Sequence, residues 1–113
     1  MKVSNWMGKA DLSALTAAGK RELLLFAAKW CGYCTRFLGE LHAAEFPSFI
    51  GIVHLIDTDN PDESLWDDYS ISVVPTIIVV ENGKEIFRRD GRSGAGLNRL
   101  DLDAAVNEFS KKA

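Results

Sequence analysis

Cysteine is scarce in this chain of 113 residues: there are two, Cys31 and Cys34, with two residues between them. A disulfide joining them would close so short a loop that it would add little stability through chain entropy, which argues against a stapling role. Basic charge is sparse as well. The net charge is −3, and Arg88, Arg89 and Arg92 are the densest basic group, which argues against a nucleic-acid partner. Apolar runs are short. None approaches the length that spans a bilayer, and Met1-Lys2-Val3-Ser4-Asn5-Trp6 contains no apolar signal-peptide core, so no membrane partner is expected. A structural zinc site needs four ligands, and besides the cysteines the chain offers His42 and His54 alone, so neither metal nor cofactor is expected. Repeats, low-complexity tracts and linkers are all missing. What remains is one domain over 1–113, 47% hydrophobic and 26% charged, the composition of a soluble globular monomer with a real core. A cytoplasmic location is expected, or a periplasmic one if a signal peptide has been removed.

The most informative segment is Trp30-Cys31-Gly32-Tyr33-Cys34. The apolar run Leu23-Leu24-Leu25-Phe26-Ala27-Ala28 ends just before it and an amphipathic stretch follows. A Cys-x-x-Cys pair at a strand-to-helix junction reads as a redox dithiol. If Cys31 opens the helix, its sulfur sits among unpaired backbone N–H groups at the positive end of the helix dipole, where a thiolate is favoured over a thiol. Cys31 is then the exposed nucleophile. Cys34, one turn inward, can attack the mixed disulfide and release the product. Gly32 keeps the loop narrow, and Tyr33 offers a ring at the rim on which a partner can rest.

The coarse pattern alternates helix and strand. It predicts a helix over 11–18, a strand over 22–28 buried on both faces, and a helix from 31 to about 44 weakened by Gly39. A second buried strand over 49–56, a short helix over 61–69 begun by Pro61, and a third strand over 76–80 follow. Glu81-Asn82-Gly83-Lys84 carries the Asn-Gly hairpin signal, so 85–89 should pair antiparallel with the preceding strand. The chain closes on an amphipathic helix over 100–111, capped by Asp101 if it starts slightly later. The order implies an α/β fold, a central mixed sheet with helices on both faces.

At this point the chain resembles the thioredoxin family. The resemblance rests on Trp30-Cys31-Gly32-Tyr33-Cys34, then Asp57-Thr58-Asp59-Asn60-Pro61, then Val73-Val74-Pro75-Thr76, then Glu81-Asn82-Gly83-Lys84 and Gly91, in that order along nearly the whole chain. It implies the thioredoxin fold, a cis Pro75 facing the cysteines, and a Val74 backbone that pairs with a substrate strand. It also implies departures. The buried acid that family members carry in the strand before the motif is here Leu25, so proton transfer at Cys34 needs water or another group, and no buried carboxylate is left to be desolvated. The family's nearby basic residue is matched by His54, its motif proline by Tyr33 and its helix-bending proline by Gly39. Asp90-Gly91-Arg92 stands where an apolar loop is usual, and residues 93–98 lengthen the link to the last helix.

Three functions follow from this reading. The first is a thiol–disulfide oxidoreductase, with Cys31 and Cys34 as catalytic residues. It would reduce protein disulfides and be recharged by a thioredoxin-reductase-like or other dithiol donor. The second is an oxidase or isomerase, made more oxidising by Gly-Tyr within the motif. The third is a non-catalytic binding module on the same fold, against which the intact Cys31, Cys34 and Pro75 argue. Trp30, Gly32, Tyr33, Val74, Pro75, Gly91 and Arg92 are the candidate substrate-binding residues, with Arg92 placed to select acidic partners or glutathione. Trp66 and Tyr69 should pack a helix face, His42 should be a solvated helix residue, and His54 is the first candidate for an alternative proton relay.

Overall fold

The apolar run before the cysteines becomes the central strand of the sheet, with neighbours on both sides and both of its faces buried. The computed structural model describes residues 2–45, 50–60 and 63–111. Its elements are β1 (Lys2–Val3), α1 (Lys9–Ala17), β2 (Arg21–Ala27), α2 (Gly32–Ala43), β3 (Ile52–Asp57), α3 (Leu65–Asp68), β4 (Thr76–Glu81), β5 (Lys84–Asp90) and α4 (Arg99–Ser110). The strands form one sheet in the order β1-β3-β2-β4-β5. β3 is parallel to β1 and β2, while β4 is antiparallel to β2 and β5.

Alternation along the strands divides the core in two. Leu23, Leu25 and Ala27 of β2 face Phe37 and Leu41 of α2 and Leu102 and Ala105 of α4, and both cysteines lie in this layer. Leu24 and Phe26 face Leu12 of α1 and Leu65 of α3. Trp66 and Tyr69 pack in this second layer, with the Tyr69 ring 4.9 Å from that of Phe26 and the Trp66 indole donating to the Thr58 carbonyl at 3.0 Å. The β4–β5 turn is the expected hairpin: Asn82 and Gly83 take φ of 54° and 75°, the paired positive angles a two-residue turn of this kind requires. Arg88 of β5 straps the sheet edge to the end of α3, donating to the carbonyls of Tyr69 at 2.9 Å and Ser70 at 3.3 Å.

Several expectations are corrected. The two residues of β1 carry no periodic signal and were not foreseen. α3 is shorter than 61–69, and Pro61, like Phe49 at the expected start of β3, lies outside the described residues. The cap of α4 is Asn98, whose side chain accepts from the amides of Leu100 and Asp101, while Asp101 reaches back to the Asn98 amide at 2.9 Å. Asp101 is therefore the inner partner of a reciprocal capping pair. Gly39 sits exposed in an unbroken helix, with open space where a Cβ would stand.

Candidate active site

The site is built where β2 ends. Ala27 and Ala28 are still buried, and the next two residues, Lys29 and Trp30, are exposed. The Cys31 amide donates to the Ala28 carbonyl at 3.2 Å, closing a turn that leads into α2. Cys31 is the N-cap of α2, with extended backbone, and its sulfur accepts the Cys34 amide at 3.1 Å. That is the position of an anion at a helix start. The Cys31 thiol also lies 3.5 Å from the Val74 carbonyl, and the Val74–Pro75 peptide is cis, so the loop before β4 meets the dithiol directly.

Both thiols are free, and both are recessed. Cys31 retains 6% of its surface and Cys34 none, so the expected order of exposure holds, but Cys31 is not the openly exposed nucleophile foreseen. The Cys34 thiol is pushed up to about 12. Burial is the largest cause and the contact with Cys31 the next; the Ala28 amide works in the opposite direction, and the charges of Cys31 and Asp59 add to the rise.

Around the sulfurs the rim is aromatic and tightly fitted. Trp30 is 72% exposed and Tyr33 41%. The Arg36 guanidinium lies 5.5 Å from the centroid of the Tyr33 ring and reaches the carbonyls of Ala95 and Leu97. Gly96, at φ +67°, would place a Cβ 2.8 Å from the Tyr33 Cβ, and Gly91 would place one 2.7 Å from the Pro75 carbonyl. These two glycines let the loop after β5 close against the cis proline and the motif tyrosine.

Tertiary contacts bear on the expectations about charge. Arg92 forks onto Asp101 at 3.1 and 2.6 Å and stays half-exposed, and Arg89 reaches the same carboxylate at 3.8 Å. His54 pairs with Leu24 in register, so it lies on the sheet face opposite Leu25 and Cys34, where it meets Glu22 at 3.0 Å. It cannot relay a proton to Cys34. Buried carboxylates do remain despite Leu25. Asp101 is buried against Arg92, and one oxygen of Asp59, Oδ1, is buried with no hydrogen-bond partner among the described residues. His42 is exposed at the far end of α2, as expected. Among the described residues, no three His, Cys, Asp or Glu side chains are grouped to hold a metal ion.

Sequence reasoning quoted Asp57-Thr58-Asp59-Asn60-Pro61 as a landmark but assigned it no role. The structure ties its centre to the backbone that leads into the dithiol. The Thr58 amide and hydroxyl both donate to the Ala27 carbonyl, at 3.0 and 2.9 Å, and Asp59 Oδ2 accepts the Lys29 amide at 3.1 Å.

A family model described as Thioredoxin matches residues 8–103. The chain is 33% identical to a thioredoxin of Echinococcus granulosus over 103 residues, covering 88% of this chain and 95% of that one. It is also 33% identical to a putative protein disulfide-isomerase of Schizosaccharomyces pombe over 86 residues, but that match takes in only 18% of the isomerase's length. Among solved structures it is similar to Fasciola hepatica thioredoxin, with a TM-score of 0.73 and 25% identity over 97% of this chain and 100% of the other. Spinach chloroplast thioredoxin F shares the fold, with a TM-score of 0.76 at 20% identity over 97% and 95% of the two chains.

Proposed function

This chain belongs to the thioredoxin family of thiol–disulfide oxidoreductases, and on that premise we propose that it reduces protein disulfides with Cys31 as the attacking residue and Cys34 as the resolving residue. The observation that carries this reading is the Cys31 sulfur at the cap of α2, accepting the Cys34 amide at 3.1 Å beside the Val74 carbonyl. The Cys31 thiolate attacks one sulfur of a substrate disulfide. A Cys31–substrate bond forms, the substrate S–S bond breaks, and the departing sulfur leaves as a thiolate. Cys34 then loses its proton and attacks the Cys31 sulfur. The Cys31–Cys34 bond forms, the mixed disulfide breaks, and the second substrate thiolate is released. The substrate has gained two electrons and the dithiol has lost them. A dithiol donor of the reductase type returns the pair to the thiol form.

The substrate is held as an extended strand along Val74, whose main-chain groups it pairs with, while the exposed Trp30 and Tyr33 bear on its flanks. Gly91 and Gly96 keep that surface in place by allowing the loop after β5 to approach. Similarity to the fission yeast isomerase supports a second reading, a more oxidising pair used for disulfide exchange. The reduction potential against glutathione decides between them: a value near about −270 mV supports the reductase, and one near about −180 mV the exchange catalyst. Brief iodoacetamide labelling followed by peptide mapping tests the roles. Cys31 should be modified first and Cys34→Ser should accumulate mixed disulfides; preferential labelling of Cys34 would reverse the assignment.

A further inference from the structure

We propose that Asp59 is the proton acceptor for Cys34 in the resolving step, standing in for the acid that is absent at Leu25. The inference rests on the oxidoreductase reading above and names the group which that reading leaves open. The loop after β3 is pinned to the end of β2 at two successive points. Thr58 holds the Ala27 carbonyl through its amide and its hydroxyl, and Asp59 Oδ2 accepts the Lys29 amide. The Asp59 amide is fixed in turn by Asp57 Oδ1 at 2.8 Å. Ala28 lies between these two anchors, and its amide is the backbone group that bears on the Cys34 thiol. Asp59 is therefore tied to the residue next to Ala28, and its charge bears on the Cys34 thiol.

The remaining oxygen of that carboxylate, Oδ1, is buried with no hydrogen-bond partner among the described residues. A buried carboxylate oxygen left unpaired is costly, and such groups in native proteins call for an explanation of this kind. Cys34 supplies the demand. With its thiol pushed up to about 12, Cys34 is held almost wholly in the thiol form at pH 7. Two of the causes involve Cys31 and weaken once that sulfur is in a mixed disulfide, but burial, the largest, persists. His54 and Glu22 do not compete as acceptors, because they lie on the opposite face of the sheet. Among the described residues, Asp57 and Lys29 beside Asp59 pair with each other at 3.6 Å.

In the step itself, the Cys34 proton passes to Asp59 Oδ1, directly or through one water. The Cys34 sulfur attacks Cys31, the Cys31–substrate bond breaks, and the leaving substrate thiolate takes a proton from Asp59 or from solvent. A purely electrostatic Asp59 would act in the opposite sense, because its charge disfavours the Cys34 thiolate and its removal would speed the attack.

The test compares the wild type with Asp59→Asn and Asp59→Glu in insulin reduction from pH 6 to 9.5, alongside iodoacetamide labelling of Cys31. Asp59→Asn should lose about tenfold or more at pH 7, with a rate that climbs about tenfold per pH unit toward the wild-type value at high pH, as Cys34 comes to ionise unaided. Cys31 labelling should change less than about twofold, placing the loss in the resolving step. Asp59→Glu should stay within about threefold of wild type, and it carries the test alone if Asp59→Asn does not fold; a loss of about tenfold in Asp59→Glu would overturn the proposal. An Asp59→Asn rate equal to or above wild type, across the pH range, would overturn it while leaving the oxidoreductase reading intact. A wild-type protein that reduces no disulfide would overturn both.

Discussion

Replacing Leu25 by Asp would restore the acid that the family resemblance implies at this position and place it among fully buried apolar side chains. Leu25 has no exposed surface, and its neighbours in register are Leu55 and Ile77, with Cys34 in the same layer. Truncating a buried leucine costs about 2–5 kcal/mol. The shorter acid refills part of that volume, but its neutral carboxyl, set among apolar side chains, adds about 1–3 kcal/mol. A deficit of about 3–6 kcal/mol therefore stands against a total stability of roughly 5–15 kcal/mol for a domain of this kind. The deficit should grow with pH. Burial disfavours the charged form, so the folded state holds the proton of the introduced carboxyl more tightly than the unfolded chain does. Stability is then lost as pH rises above the unfolded value of about 3.9, at about 1.4 kcal/mol per pH unit, until the folded carboxyl ionises. Urea titrations at pH 5 and pH 7 should show the variant falling further behind by up to about 3 kcal/mol. A deficit independent of pH would refute the reasoning, because it would mean that the carboxyl had found solvent or a partner and that the layer around Cys34 is not dry. With Asp59 in place, Leu25→Asp should change insulin reduction at pH 7 less than about threefold; in an Asp59→Asn background it should recover most of the lost rate.

Other perturbations follow from close contacts and paired charges. Gly91→Ala would drive a Cβ to 2.7 Å from the Pro75 carbonyl with the Gly96 backbone at 3.6 Å behind it, so neither side yields cheaply. It should cost about 1–3 kcal/mol in a denaturant titration and slow insulin reduction as Val74 shifts beside Cys31; an unaltered variant would show that the loop is not seated as described. Gly39→Ala, exposed and with no atom within 4 Å of the new Cβ, should raise stability by about 0.5–1 kcal/mol, seen as a higher urea midpoint at unchanged slope. Burial pushes the Asp101 carboxyl up, but the Arg92 fork, the Asn98 amide and the charges of Arg92 and Arg89 outweigh it and hold it below the usual carboxylate range. Its stabilising effect is therefore present above the unfolded carboxylate value and is lost as pH falls through the lower folded value. Arg92→Ala should lower the urea midpoint at pH 7 and lower it much less near pH 2; an equal shift at both would assign the contact to packing.

The elements legible in the sequence were those whose signals are local. The unbroken apolar run of β2, the Cys31 cap and the Asn82-Gly83 hairpin each declare themselves within a few residues, and so does the dithiol. The capping pair of α4 was also local, as Asn98-Arg99-Leu100-Asp101, but it was read at its inner member. What escaped depends on register and on distant contacts. β1 is too short to show a period, and it exists because β3 leaves an edge to pair. His54 is a strand residue whose face is settled by its pairing with Leu24, which no single strand reveals. Arg92 and Asp101 meet across the loop after β5. Asp59 stood only within a landmark of the resemblance; its tie to the Lys29 amide follows from Thr58 anchoring to the end of a different strand.

The strap that Arg88 throws from β5 to the end of α3 bears on how the molecule meets extended chains. A sheet rim with unpaired main-chain groups invites any strand that passes, and so invites aggregation. Here one rim is only the two residues of β1, and the other, β5, is studded with Lys84, Glu85, Arg88, Arg89 and Asp90 and is broken by a register shift opposite Val79 and Val80. Arg88 further occupies that rim with Glu85 and Asp90 at 3.0 and 2.8 Å. Strand addition is therefore discouraged at both ends of the sheet, while a short length of main chain is offered at Val74, beside the reactive sulfur. On the reading proposed above, an extended polypeptide is turned away from the places where it would merely stick and pairs instead at Val74, where its disulfide can be exchanged.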